Sequence, residues 1–255
     1  MVSPVADPSA TEPPGRRARN RRARERAYLV AAMDIASRDG IRSLTMQRLA
    51  EEVDAAVGTV YTYFPSKGAL VAEIQREAIE RLTDSYHLLR DRSEAVLATW
   101  PDAAAAVARL AVFGRWWIAT EQTFPQESAF LHGVVNEAEQ VVPPEELYRV
   151  LPTILALLEE ARRAVVAAVE AEAIDVGEPM DAVVRWAAGL NGVLLLSTLP
   201  PVDAVALDGS KLAIQLQRDL FLGWGAAPDL VDRADAHVEA LSSAGPLAPP
   251  VVRER

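Results

Sequence analysis

Residues 28–70 read YLVAAMDIASRDGIRSLTMQRLAEEVDAAVGTVYTYFPSKGAL. Leu29, Ala32, Met33 and Ala36 fall at i, i+3, i+4 and i+7, the spacing of one helix face, and Gly40 ends that helix. Thr45 is placed to cap a short second helix running to Val53, with Met46, Leu49, Ala50 and Val53 as its apolar side. Asp54-Ala55-Ala56 makes a turn, and a third short helix runs from about Val57 to Phe64. Pro65 stops it, and Ser66 is placed to cap the next helix. Three helices with a tight turn between the last two make a helix-turn-helix, whose final helix enters the DNA major groove.

The third helix carries the chemistry for that task. Val60 and Phe64 are four apart and can pack inward. Thr59, Tyr61, Thr62 and Tyr63 then supply hydroxyls suited to phosphate oxygens and base edges. Gly58 permits close backbone approach, and Lys67 follows just past the helix with a cation for a phosphate.

In this register the stretch from Tyr28 to Leu70 resembles, without a gap, the DNA-binding domain of the tetracycline-repressor (TetR) family. The resemblance is carried by Ala31-Ala32 and Gly40, by Thr45 and Leu49-Ala50, by Gly58 to Tyr61, by Tyr63-Phe64, and by Pro65-Ser66-Lys67 before Leu70. It implies that Thr45, Gly58, Thr59, Tyr61, Tyr63 and Lys67 face DNA, and that Val57 and Thr62 select among base sequences. Three positions depart from the family pattern. Asp54 stands where glycine is usual, Ala56 where a serine or threonine caps the recognition helix, and no large aromatic lies near Ala36. Losing the cap forfeits about 0.5–2 kcal/mol and one phosphate contact. The core near Ala36 must be filled from elsewhere.

Working outward, residues 16–26 hold seven arginines in eleven positions, after a proline-rich start at residues 1–15. The sequence predicts a disordered basic arm over 1–22. Arg16, Arg17, Arg19, Arg21 and Arg22, with Arg19 and Arg22 foremost, are candidates to reach the neighbouring minor groove. No continuous apolar core follows, so a secretory leader is not expected. The chain is acidic, at −10 over 255 residues, yet residues 1–68 balance at +3 and residues 69–255 at −13. A basic front end on an acidic body fits one end meeting a polyanion and the other avoiding it.

Beyond the motif the pattern predicts helices over 66–98, 102–121, 126–139, 145–173, 179–199, 210–224 and 229–241, so the fold class is all-α. The expected domains are a helix-turn-helix at 23–68, a helical regulatory and dimerisation domain at 69–241, and a flexible tail at 242–255. The segments 179–199 and 210–224 are apolar on more than one side, as helices in a homodimer interface would be, and Gly189, Asn191 and Gly192 allow close helix approach. Phe113, Trp116, Trp117, Phe124, Phe130, His132 and Trp186 are candidates to line a small-molecule cavity.

The chain has no cysteine, which removes disulfides, thiolate metal sites and a catalytic thiol. Its three histidines, His87, His132 and His237, are not spaced as metal ligands on one helix. No cofactor and no membrane span are expected, and a cytoplasmic location fits. The implied function is a homodimeric DNA-binding regulator, a repressor released from its operator by a small-molecule effector. Two other classes stay open: an all-α enzyme or carrier with an accessory front end, and an adaptor whose helix-turn-helix has lost DNA.

Overall fold

The structure, a computed structural model, describes residues 15–131, 144–198 and 208–251, without the side chains of residues 144, 145, 147, 197 and 198. Among these residues every regular element is helical. The helices are α1 (Arg16–Asp39), α2 (Met46–Glu52), α3 (Val57–Tyr63), α4 (Lys67–Leu97) and α5 (Asp102–Thr123). There follow α6, described over 125–131, then α7 (Pro144–Glu170), α8 (Pro179–Leu194), α9 (Gly209–Gly223) and α10 (Pro228–Ala244). Short 3-10 turns occupy Ile41–Ser43 and Leu195–Thr198.

The local punctuation is where the sequence puts it. Gly40 takes φ +81, a conformation that a Cβ resists, and closes α1. Thr45 caps α2, its hydroxyl accepting from the Arg48 N–H at 3.1 Å, and Ser66 caps α4 by accepting from the Ala69 N–H at 2.9 Å. Asp54 sits at φ +48, the left-handed turn for which it stands in place of glycine.

Two hydrophobic cores form. The smaller joins α1, α2, α3 and the start of α4 around Leu29, Ile35, Leu44, Leu49, Val60 and Phe64. The larger is organised by α5, which packs against α4, α7, α9 and α10 and is apolar on nearly every side. α4 belongs to both: Leu70, Val71 and Ile74 enter the first core, and Ile79, Leu82 and Leu89 the second. At 31 residues it is a rod of about 46 Å. On its outer half the Glu160 carboxylate of α7 meets His87 Nε2 at 2.9 Å and Arg163 at 2.6 Å. Burial pushes that carboxyl up, but the hydrogen bonds from His87 and Arg163 outweigh it and hold Glu160 below the usual range.

Two expected boundaries are corrected. The arm expected to be disordered through residue 22 is helical from Arg16, continuous with α1. Alternating Arg and Ala are strong helix formers, and an already formed downstream helix removes the nucleation cost. The tail expected to be flexible over 242–255 is instead packed in its described part, residues 242–251. α10 runs on to Ala244, Ala248 is fully buried, and Leu247 packs on the larger core. Arg92 fixes this end by donating through Nη2 to the carbonyls of Leu241, Gly245 and Pro246 at 3.2, 3.5 and 3.1 Å. The predicted helices at 126–139 and 179–199 extend into residues outside the described ones.

Candidate nucleic-acid interface and ligand cavity

α3 is amphipathic at the scale of two turns. Val60 is buried at 0% exposure, and Phe64, the residue that ends the helix, is buried beside it. The opposite face exposes Val57, Gly58, Tyr61 and Thr62, at i, i+1, i+4 and i+5, so four of the expected residues form one outward surface. Thr62 Oγ1 donates to the Gly58 carbonyl at 3.0 Å, which holds its hydroxyl against the helix. Thr59 is half-buried at the edge of this face. Ala56 takes the cap position with no side-chain hydrogen bond, so the N–H groups at the start of α3 lack the usual hydroxyl partner.

Tyr63 is placed differently from Tyr61. It is half-buried, packs edge-on against Tyr28 with centroids 5.1 Å apart, and lies beneath the Arg21 guanidinium at 5.6 Å. That contact draws the arginine-rich start of α1 alongside α3. Arg16, Arg17, Arg19, Arg21 and Arg22 are all exposed on this extension, with Arg24 and Arg26 beyond them. Exposed Thr45, at the head of α2, completes the surface. Lys67 is half-buried, and its ammonium donates to the Ile41 carbonyl at 3.0 Å, tying the start of α4 to the turn before α2.

A cavity of about 270 Å³ lies in the second domain, between α4, α5, α6, α7 and α8. Of the aromatic residues expected to line it, Phe113, Trp117 and Trp186 do. Trp116 does not: it is fully buried in the larger core and donates from Nε1 to Ser85 Oγ at 3.4 Å. Phe124 is likewise buried in that core, beneath the Arg81 guanidinium at 5.5 Å. His132 lies outside the described residues. The aliphatic walls, from Ile79 and Leu82 through Leu157, Leu158 and Val183 to Leu190, carry ordinary core-type periodicity, and nothing in the sequence marks them as lining a void.

Phe130 has another place altogether. It is 2% exposed and belongs to the core of the first domain. α6 reaches that core because Gln126 Nε2 donates to Asp34 Oδ1 at 3.0 Å, Ser37 Oγ donates to the Gln126 carbonyl at 3.5 Å, and Arg81 pairs with buried Glu127 at 2.6 Å. A helix of the second domain thus adds an aromatic ring to the core that also holds Ala36. A further cleft of about 500 Å³ runs along this junction, lined by α1, α4, Gln126, Glu127 and Val251.

Among the described residues no cluster of three His, Asp or Glu side chains could hold a metal ion. No described helix is long and apolar enough to cross a membrane. Ser93 Oγ and His237 Nε2 are 2.9 Å apart, but both residues are buried, with Trp100 against the imidazole at 5.2 Å.

Residues 29–74 match the sequence model of a family described as bacterial regulatory proteins, tetR family. The chain is similar to the transcriptional repressor KstR of Mycolicibacterium smegmatis, 41% identical over 61 residues, which are 24% of this chain and 30% of that protein. It thus spans 26–30% of the length of the curated relatives it matches. Its fold is similar to that of a TetR transcription regulator from Haloarcula marismortui, at TM-score 0.59 and 16% identity over 80% of this chain and 98% of that one. It is also similar to a protein from Saccharomonospora viridis, described as a transcriptional regulator and solved in complex with choline. There the TM-score is 0.55 and the identity 18%, over 78% of this chain and 95% of the other.

Proposed function

We propose that this chain, with a tetR-type domain at its front, is a sequence-specific DNA-binding repressor that works as a homodimer and leaves its operator when a small molecule fills the cavity. The observation that carries the reading is the outward face of α3, where Val57, Gly58, Tyr61 and Thr62 stand together on a helix whose other face is fixed in a core. Val57 and Thr62 read bases. Thr45, Thr59, Tyr61 and Lys67 hold phosphates, with Tyr63 and the exposed arginines of α1 completing the footprint. As a helix, the arginine extension is too broad for the minor groove and lies along the phosphates instead. Dimerisation through 179–199 and 210–224 is supported by the outer side of α8, where Val184, Ala188 and Gly192 are exposed four residues apart. A two-fold pair of α3 helices about 34–36 Å apart fits a near-palindromic site.

Selective retention of one genomic DNA fragment by the full chain, at about 150 mM salt, tests the proposal. Equal retention of all fragments, or of none, overturns it. Deleting residues 1–22 should weaken binding to every sequence and flatten the slope of log K against log salt. The uncapped α3 at Ala56 favours one second reading, an adaptor that no longer binds DNA, and the same retention experiment separates the two.

A further inference from the structure

The walls of the cavity state what it accepts. Among its described lining residues there is no Lys, Arg or His, and Glu121 is the one carboxylate, already engaged with a partner of its own. An anion placed here would lose its water and meet no counter-charge, which disfavours it strongly. A cation fares little better. The aromatic rings contact one another, Phe113 with Trp186 at 5.6 Å and Trp117 with Trp116 at 5.7 Å, so they do not form an open cage.

The polar groups that remain are those of Gln75, Thr120, Ser128 and Asn191, with the indole nitrogens of Trp117 and Trp186. α4 and α5 run antiparallel, since Arg109 pairs with Glu94 and Trp116 with Ser85. By those pairings Thr120 and Glu121 stand level with Leu82 and Arg81, and Gln75 lies about 9–10 Å further along α4, beyond the last lining residue of α5. Ser128 lies on α6. Thr120 spends its hydroxyl on the Trp117 carbonyl at 2.6 Å. Gln75 is 7% exposed, and its Oε1 has no hydrogen-bond partner; the other unpaired lining atom, Trp186 Nε1, stands apart, where its ring meets Phe113, Phe221 and Trp224. Buried polar atoms left unpaired in this way are uncommon and mark a place for an incoming group.

Building on the proposal that the chain is a ligand-released regulator, we infer that its effector is an uncharged, largely apolar molecule with one hydrogen-bonding end, a hydroxyl, carbonyl or amide, seated at Gln75 and Ser128. The apolar body lies along Leu82, Phe113, Leu157 and Val183. The polar end is the one that touches the DNA-binding domain. Gln75 follows Ile74, a member of the first core, and Ser128 precedes Phe130, another member, on α6. Leu131 lines the cavity and packs on both cores.

The test uses the full chain without DNA. Its tryptophan fluorescence is titrated at neutral pH with 1-decanol, decanoate and decyltrimethylammonium. The expected result is saturable quenching by decanol with an affinity at least tenfold above either charged congener. Decanoate or the ammonium binding as tightly as decanol, or no saturable response to decanol, overturns the assignment. Gln75→Leu and Ser128→Ala should each weaken decanol about five- to tenfold while leaving the melting transition cooperative. Unchanged decanol affinity in both places the polar end elsewhere. The wild-type chain alone decides the charge class, so that arm stands even where a variant fails to fold. A preference for charged ligands in a chain that still retains one DNA fragment overturns the ligand class alone. Decanol selectivity in a chain that retains no fragment overturns the regulator reading alone.

Discussion

The two domains of this chain were built under different constraints, and the contrast shows in what each helix face does. In the first, every helix is short or half-exposed, and one side of α3 packs while the other is free. In the second, α5 is buried nearly all round and helices surround it. A half-exposed helix must segregate its residues, so its sequence announces its orientation. A helix buried on all sides has no such obligation. The difference teaches that the orientation of a helix was readable where solvent was present and unreadable where it was not.

The junction at Phe130 offers the hardest test of treating the domains as separate. Phe130→Ala removes a buried ring from the first core by altering the second domain, at a cost of about 3–5 kcal/mol. Denaturant unfolding should show that loss together with weaker DNA binding, although residue 130 lies on α6, away from α3. Unchanged DNA affinity would restore the boundary between the domains.

The converse change acts on the free face alone. Tyr61→Ala and Thr62→Ala should each lower operator affinity by about 1–3 kcal/mol with no shift in melting temperature, because neither side chain fills a core. A drop in stability comparable to the drop in affinity would show that these residues are packed, not presented.

How much of this was legible follows the same division. Thr45, Ser66 and Asp54 could be read from sequence because caps and left-handed turns are local: the residue and the backbone group it serves lie within a few positions. That the core near Ala36 must be filled from elsewhere was also legible, but that Phe130 joins this core was not. A phenylalanine on a helix looks alike whichever core it enters. Trp116 and Trp117 are neighbours in sequence, yet one is sealed in the core and the other lines the cavity. That split depends on where α4 and α8 pass, which helical periodicity does not record. The buried chain end at Ala248 was missed because small polar and proline-rich segments read as loose unless a partner such as Arg92 is known.

A smaller effect sharpens the comparison within the first domain. Ala56→Ser should restore a cap to α3, raising stability by about 0.5–2 kcal/mol and tightening DNA binding. An unchanged operator affinity in a stabilised variant would separate capping from phosphate contact.

The smallest effect belongs to the second domain. Burial, only partly opposed by Glu94, holds the His237 imidazole below its ordinary range. The unfolded chain therefore takes up a proton before the folded one does. Stability from this site is full above the unfolded value of about 6.5 and is lost as pH falls below it toward the folded value. The melting temperature should decline between neutral and mildly acidic pH, and His237→Asn should flatten that slope. A variant with the wild-type slope would assign it to other groups.

Phe130 also sets a timetable. A chain leaving the ribosome has made every other residue of the first core once Ile74 has emerged, yet the ring that completes it is still 56 residues away. At about 5–20 residues per second, the young domain waits roughly three to eleven seconds with a gap beneath α1. During that interval α3 is already made while the core it packs on is unfinished, and the ring that finishes that core arrives on the helix that also borders the cavity.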